Sequence, residues 1–328
     1  MLTDRAYTKL SDLERARHDR ARILYLSGGI VLGTPQYNRA KLMLTQCFAE
    51  NIGRNSGHSG LLISGDSTLG KTTICKTLMR HVHKDYRNQF PDFRKHGHVP
   101  VVYIEVPAGS TGKLLMRTFA DFFGLTVTPS ETMVSIRNRV VDTLNAAGTQ
   151  LVVIDELHNL AARTAGNGES QDVLKNLHND LAATFLYAGI NIQKMLSGER
   201  SQQIGGRFAM LPMHRFNPSR DSDRRTWNGL ISSFEQCLPL RHHETGTLTQ
   251  LGDYLFERTN GSIGSLGRLL TGGAIEAISN PTVTNEALTQ ELLDIQRLDL
   301  AAETARAQRL RKNANPLSAE NILEGLLA

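Results

Sequence analysis

The chain has 328 residues, 40% hydrophobic and 21% charged, enough for one large α/β domain with a smaller one beside it and unlike a low-complexity chain. Its net charge of +5 is compatible with a nucleic-acid partner without requiring one. No apolar run approaches the ~18 residues of a membrane span, the opening MLTDRAYTKLSDLERARHDRAR lacks a secretory signal's apolar core, and Cys47, Cys75 and Cys237 have no metal-like spacing, so a reduced cytoplasm and no membrane are expected.

In chain order, residues 1–58 read as mostly helical and polar, with the Arg-rich LERARHDRAR near the front. Four short, continuously apolar runs follow, as parallel strands buried on both faces should: Leu61–Ser64, Val101–Val106, Leu151–Asp155 and Thr184–Gly189. Thr72–Arg80, Lys113–Phe123 and Ser130–Ala147 read as helices, with Ser130 as an N-cap and Gly148 as a stop. Phe234–Leu240 is a fifth strand candidate. The alternation predicts an α/β fold, a parallel sheet covered on both faces. Thr247–Arg258, Ser262–Ile278 and Asn285–Arg297 then read as three helices of a small helical lid domain. From Leu298 to Ala328 a basic stretch (Arg306, Arg309, Arg311, Lys312), Pro316 and a short apolar end suggest a frayed tail or a docking peptide. The expected divisions are an N-terminal helical segment (1–58), an α/β core (59–241), the helical lid (242–297) and the C-terminal tail (298–328).

LLISGDSTLGKTTICKTL contains Gly65, Asp66, Ser67, Thr68, Leu69, Gly70, Lys71 and Thr72 as a complete phosphate-binding loop between a strand and a helix. That setting turns the backbone N–H groups of the loop and of the helix start, through Thr73, toward a polyphosphate. Lys71 is the residue to reach the β- and γ-phosphates, and Thr72 the residue to ligate Mg²⁺. A nucleoside triphosphate with Mg²⁺ is therefore the expected ligand.

The third apolar run ends in Asp155-Glu156, placing two carboxylates at the C-terminal edge of the sheet, where open α/β sheets bind ligands. Asp155 is expected to hold the Mg²⁺ shell and Glu156 to polarise the attacking water. Asn191 falls just past the fourth strand, in reach of that water or of the γ-phosphate. Arg207 follows two glycines and precedes an apolar segment, suiting an arginine finger toward a neighbouring subunit; Arg200, Arg215, Arg224 and Arg225 compete for the role. Arg268, near the start of a lid helix, is placed to sense the γ-phosphate in cis. Between Lys76 and His98 stand Lys76, Arg80, Lys84, Arg87, Arg94 and Lys95, a run that a solvated helix and a phosphate-backbone contact explain equally well.

Taken together these residues resemble the AAA+ ATPases, and among them the transposon-encoded TniB/TnsC regulators, over about residues 20 to 280. The motifs are RARILYLSGGIVLGTPQYNRAKLML, LLISGDSTLGKT, VPVVYIEVP, LVVIDELHNL, FLYAGIN and QQIGGRFAMLPMHRF. The resemblance implies that Lys71, Thr72, Asp155 and Glu156 are the Walker residues, Asn191 sensor 1, Arg207 the trans arginine finger and Arg268 sensor 2. It further implies ATP-dependent assembly of a homo-oligomer, ring or helical filament, on double-stranded DNA, linking a target-selection protein to a transposase. In that setting the loop Pro107–Lys113 faces DNA, with Thr111, Lys113 and Arg117 as contacts. The alternative is an AAA+ loader or remodelling ATPase acting on a protein client in replication or repair. A metabolic kinase fits less well, because it usually lacks the base that Glu156 supplies.

Overall fold

The computed structural model describes residues 2–160, 169–193 and 206–314. They form two compact units, Gly33–His214 and a second one made of Met1–Leu32 together with Arg215–Ala328. The chain opens in the second unit with α1 (Asp4–Thr8) and α2 (Asp12–Ser27). Glu14 accepts the Ser11 backbone N–H at 2.9 Å, satisfying a donor at the start of α2.

The first unit begins with α3 (Pro35–Asn51), whose N-cap Thr34 accepts from the Tyr37 N–H at 3.0 Å and whose first residue is a proline that needs no hydrogen bond there. Then come β1 (Gly60–Ser64), α4 (Lys71–Gln89), β2 (Val101–Glu105), α5 (Gly112–Phe122), α6 (Met133–Ala146), β3 (Leu151–Asp155), α7 (Glu169–Asp180), β4 (Thr184–Gly189) and β5 (Phe208–Pro212). The strands pair in parallel in the order β2-β3-β4-β1-β5. Successive side chains point to opposite faces, and the core divides accordingly. Leu61, Ile63, Val153 and Leu186 pack under α3 and α4, whereas Leu62, Val152, Ile154, Phe185 and Tyr187 pack under α5, α6 and α7. Both faces are covered, as the unbroken apolar runs require. The cap of α6 is Thr132, two residues beyond the expected Ser130: its hydroxyl accepts from the Ser135 N–H at 3.2 Å.

One strand expectation is corrected. Phe234–Leu240 is not a strand; most of it closes α8 (Asp221–Cys237), and the fifth strand is β5. Trp227, Leu230, Ile231 and Phe234 are buried at the i, i+3, i+4, i+7 spacing of a helix face, which overrides the short apolar look of the segment.

The helical unit continues with α9 (Thr247–Gln250), α10 (Gly252–Thr259), α11 (Ile263–Ser279), α12 (Gln290–Asp294) and α13 (Leu300–Ala314). The expected helix Asn285–Arg297 is reduced to the short α12, because Glu286 turns inward instead. There it pairs with buried Arg22, Nη2 to Oε2 at 3.1 Å, and with Arg241, Nε to Oε2 at 2.9 Å. The basic stretch placed in the tail begins on an ordered helix: Arg306 pairs with Asp294 at 2.6 Å and Arg309 donates to Asn260 Oδ1 at 3.0 Å. The apolar end of the tail and the break at Pro316 lie outside the described residues. Among the described residues no helix is long and apolar enough to cross a membrane.

Candidate functional site

The loop from Gly65 to Gly70 joins the end of β1 to the start of α4. Gly65 has no room for a side chain, since a Cβ there would stand 2.5 Å from the Met213 carbonyl oxygen. Gly70 adopts φ +86°, the left-handed backbone that lets the chain turn directly into the helix. Asp66, Ser67 and Thr68 ride over the top of the loop, Leu69 anchors it in the core, and Thr73 extends it into the first turn of α4. Lys71 is 5% exposed, and its Nζ donates to the carbonyls of Gly65 at 2.9 Å and Asp66 at 2.7 Å. Burial lowers its pKa, and the negative charges of Glu156, Asp155 and Asp66 oppose that shift. The ammonium thus lies in the mouth of a loop of backbone donors, an arrangement that binds phosphate.

Asp155, 1% exposed, closes β3 beside this loop. Its Oδ2 accepts from Thr72 Oγ1 at 2.7 Å and from the Tyr103 hydroxyl at 3.1 Å, and its Oδ1 accepts the Glu156 backbone N–H at 2.8 Å. A buried carboxylate against a hydroxyl is a hard, oxygen-only donor pair, suited to Mg²⁺, which takes few protein ligands and fills its shell with water and phosphate. Among the described residues no group of three or more His, Cys, Asp or Glu could hold a metal ion.

Glu156 follows in a left-handed conformation, φ +53°, that directs the chain out of the strand. Its Oε2 stands 3.3 Å from Nδ1 of His158, and the same nitrogen faces the Ile190 N–H at 3.3 Å. Protonated there, His158 donates to Glu156; unprotonated, it accepts from Ile190. Asn191, φ +50° and exposed, comes directly after that contact at the exit of β4. Ser64 donates to Gln193 and Gly65 N–H donates to the Gly189 carbonyl at 3.2 Å, so the exits of β1 and β4 are tied together. Lys71, Thr72, Asp155, Glu156 and Asn191 are all brought to one edge of the sheet. Tyr103 and His158 join the residues expected from the sequence. Tyr103 is hidden there in an ordinary strand alternation, while His158 is visible as the histidine of DELHNL.

Arg207 lies at the other edge. Phe208, its neighbour, pairs with Gly60 at the entry of β1, so the length of that strand, about 16 Å for its five residues, separates Arg207 from the phosphate loop. Its Nη1 donates to Asn179 Oδ1 at 3.2 Å. Of the competing arginines, Arg215, Arg224 and Arg225 belong to the helical unit, and Arg200 lies outside the described residues. Arg268 is exposed on α11 of the helical unit. The loop after β2 is pinned by the Ser110 N–H donating to the Asn159 carbonyl at 3.1 Å. Thr111 caps α5, accepting the Leu114 N–H at 3.3 Å, while Lys113 is half-buried and Arg117 exposed.

Solved structures with a similar fold include Aeropyrum pernix ORC2 in ADPNP–ADP complexes (16% identity, TM-score 0.57) and A. pernix ORC1 in complex with DNA (15%, 0.57). Pyrobaculum aerophilum Cdc6p is a third (13%, 0.52). The alignments cover 82%, 84% and 76% of this chain and 67%, 65% and 63% of those chains, so this protein spans about two thirds of their length. The likeness shows the fold, a parallel α/β sheet with helices of the AAA+ type. No curated protein matches the sequence. The family model described as bacterial TniB protein matches residues 22–218, more than half of the chain, and the protein belongs to that family.

Proposed function

We propose that this protein is an ATP-dependent, DNA-binding regulator of DNA transposition, working in the cytoplasm, in which the nucleotide state sets assembly on double-stranded DNA. The observation that carries the reading is the division of labour across the sheet. Lys71, Thr72, Asp155 and Glu156 stand at one edge, and Arg207 at the opposite edge, too far to serve its own site. A finger so placed acts on a neighbouring subunit's nucleotide, which makes the triphosphate a bridge between copies. In this role Lys71 and the loop N–H groups hold the β- and γ-phosphates, and Glu156 accepts a proton from water that Asn191 helps to place. Mg²⁺, held by Thr72 and through water by Asp155, would neutralise charge on the phosphates. Arg268 is the proposed sensor of the γ-phosphate. Hydrolysis then releases subunits from the polymer. Thr111, Lys113 and Arg117 contact the DNA backbone, and the polymer connects a target-selection protein to a transposase. Family membership and the fold shared with an ORC1 protein solved on DNA both support this reading.

The test is duplex binding with ATP, a non-hydrolysable analogue, ADP or no nucleotide, with particles imaged in parallel. Cooperative binding confined to the triphosphates, with rings or filaments on the duplex, is expected. Glu156→Gln should retain ATP binding and form long-lived assemblies with turnover at least ~100-fold lower. Normal turnover in that variant would remove Glu156 from the mechanism. Absence of duplex binding in every nucleotide state would favour the alternative, a loader or remodelling ATPase with a protein client.

A further inference from the structure

The helix that follows the phosphate loop carries a second feature, unrelated to the nucleotide. Ile74, Cys75, Leu78 and Val82 bury one side of α4 against the sheet, and Tyr86 is buried further along that side. Lys76, Arg80, Lys84 and Arg87 are exposed on the other side. At 3.6 residues per turn they fall within an arc of about 80° centred opposite the buried face, and they span about 17 Å of helix. The side chains of Arg80, Lys84 and Arg87 make no hydrogen bond or ion pair among the described residues, and Lys76 Nζ only overlies the Tyr103 ring at 5.8 Å. Asp85, the acid of this helix, lies about 100° beyond the edge of the stripe and faces His81 at 3.3 Å.

We infer that this stripe is a second binding surface for the phosphate backbone of a DNA duplex, separate from the one proposed at Lys113 and Arg117. A duplex carries one phosphate charge per ~1.7 Å of its axis, both strands counted, so a row of four cations about 17 Å long meets ample negative charge on one face of a duplex. The exposed face offers Thr73, Lys76, Arg80, Lys84, Arg87 and Asn88 and no apolar side chain between them. A protein partner's interface would need an apolar or aromatic anchor at its centre, whereas a backbone contact needs none. The stripe and α5 lie on opposite faces of the sheet, with α4 over one core layer and α5 over the other. The stripe therefore does not extend the α5 surface; it meets a different stretch of DNA, or a second duplex.

The inference goes beyond the proposed function, and one experiment separates the two. Duplex affinity of the full chain with a non-hydrolysable ATP analogue is measured from about 50 to about 200 mM salt. Wild type is compared with the triple variant R80Q/K84Q/R87Q, with K113Q/R117Q and with the charge-keeping R80K/R87K. The triple variant should bind at least tenfold more weakly at low salt. Its slope of log affinity against log salt should be shallower by about 0.9 for each phosphate no longer neutralised, about 2 to 3 in all. R80K/R87K should match wild type, and nucleotide binding without DNA should be unchanged in the triple variant. Should the triple variant fail to fold, K84Q alone should lower the slope by about 1. Wild-type affinity and slope in the triple variant, with K113Q/R117Q weakened, overturn the stripe and leave the proposed function standing. Absence of duplex binding by wild type overturns both. Displacement of the duplex by polyglutamate at equal charge concentration assigns the stripe to an acidic protein segment and overturns its assignment to DNA.

Discussion

Tyr103 donates its hydroxyl at 3.1 Å to the same Asp155 oxygen that accepts the Thr72 hydroxyl at 2.7 Å. Burial, and after it the charge of Asp155, raises the Tyr103 pKa, so the phenol remains a donor throughout the physiological range. The hydrogen bond fixes the carboxylate that faces the proposed metal. Tyr103→Phe removes one charge-assisted hydrogen bond, about 1–1.5 kcal/mol. The Mg²⁺ concentration for half-maximal hydrolysis should rise about five- to tenfold, while nucleotide affinity without metal stays the same. A Mg²⁺ titration of the ATPase checks this; an unshifted curve would remove Tyr103 from the site.

Because Arg207 and Lys71 serve different subunits in the proposed assembly, their defects should complement. Arg207→Ala alone should bind ATP with near wild-type affinity and hydrolyse at least tenfold more slowly. Lys71→Ala alone should lose nucleotide binding and assembly together. Mixed in equal amounts, the two should recover part of the wild-type ATPase, since some interfaces then pair an intact loop with an intact finger. A mixture no more active than the sum of its parts would reassign the finger.

His178 makes stability depend on pH. Its ring is buried, 4.9 Å from Phe185 and 5.3 Å from Phe208, and burial, then nearby Arg207, lowers its pKa from 6.5 to about 4. Above about pH 6.5 both folded and unfolded chains hold it neutral and its full contribution is present. Below that the unfolded chain takes up the proton first, so stability falls with acidification down to about pH 4. The loss reaches about 3 kcal/mol. Urea unfolding of wild type and His178→Asn at several pH values between these limits checks the sign. Equal acid sensitivity of the two would rule His178 out as its source.

Within the helical unit, Glu286 faces the guanidiniums of Arg22 and Arg241 and also accepts the Arg241 backbone N–H at 3.0 Å. Glu286→Ala leaves buried positive charge without its partner and should cost about 3–5 kcal/mol. Glu286→Gln, which keeps an acceptor, should cost less. Denaturant unfolding measures both, and a loss below about 1 kcal/mol in the alanine variant would show that Asp19, 2.7 Å from Arg22, and Asp4, 2.8 Å from Arg241, suffice for the arginines.

The sequence announces four of the five strands and hides β5. Leu151–Asp155 and Thr184–Gly189 are continuous apolar runs and appear with those limits. β5 is also an apolar run, Phe208–Met213, but Pro212 within it argues against a strand from the sequence and suits only its place at the edge of the sheet. The stronger apolar segment, reaching Phe234, has helical spacing throughout. The phosphate loop and the Asp155-Glu156 pair are legible because each is contiguous. The Tyr103 and His158 hydrogen bonds are not, since they depend on strand register and on the turn after β3. The distance of Arg207 from the loop follows from the pairing of Gly60 with Phe208, which no local pattern encodes.

Arg22 and Glu286 are 264 positions apart in the chain, yet they meet in one buried cluster. On the ribosome, the segment Gly33–His214 is contiguous and has all its strands before the last third of the chain emerges. The opening helices have no such advantage. Leu26 and Arg22 wait in water, without their cover, until synthesis has passed Glu286. A nascent chain stopped at residue 214 should therefore already protect its sheet from proteases while α2 remains open to cleavage. The helices made ahead of Gly33 are among the last segments to find their place.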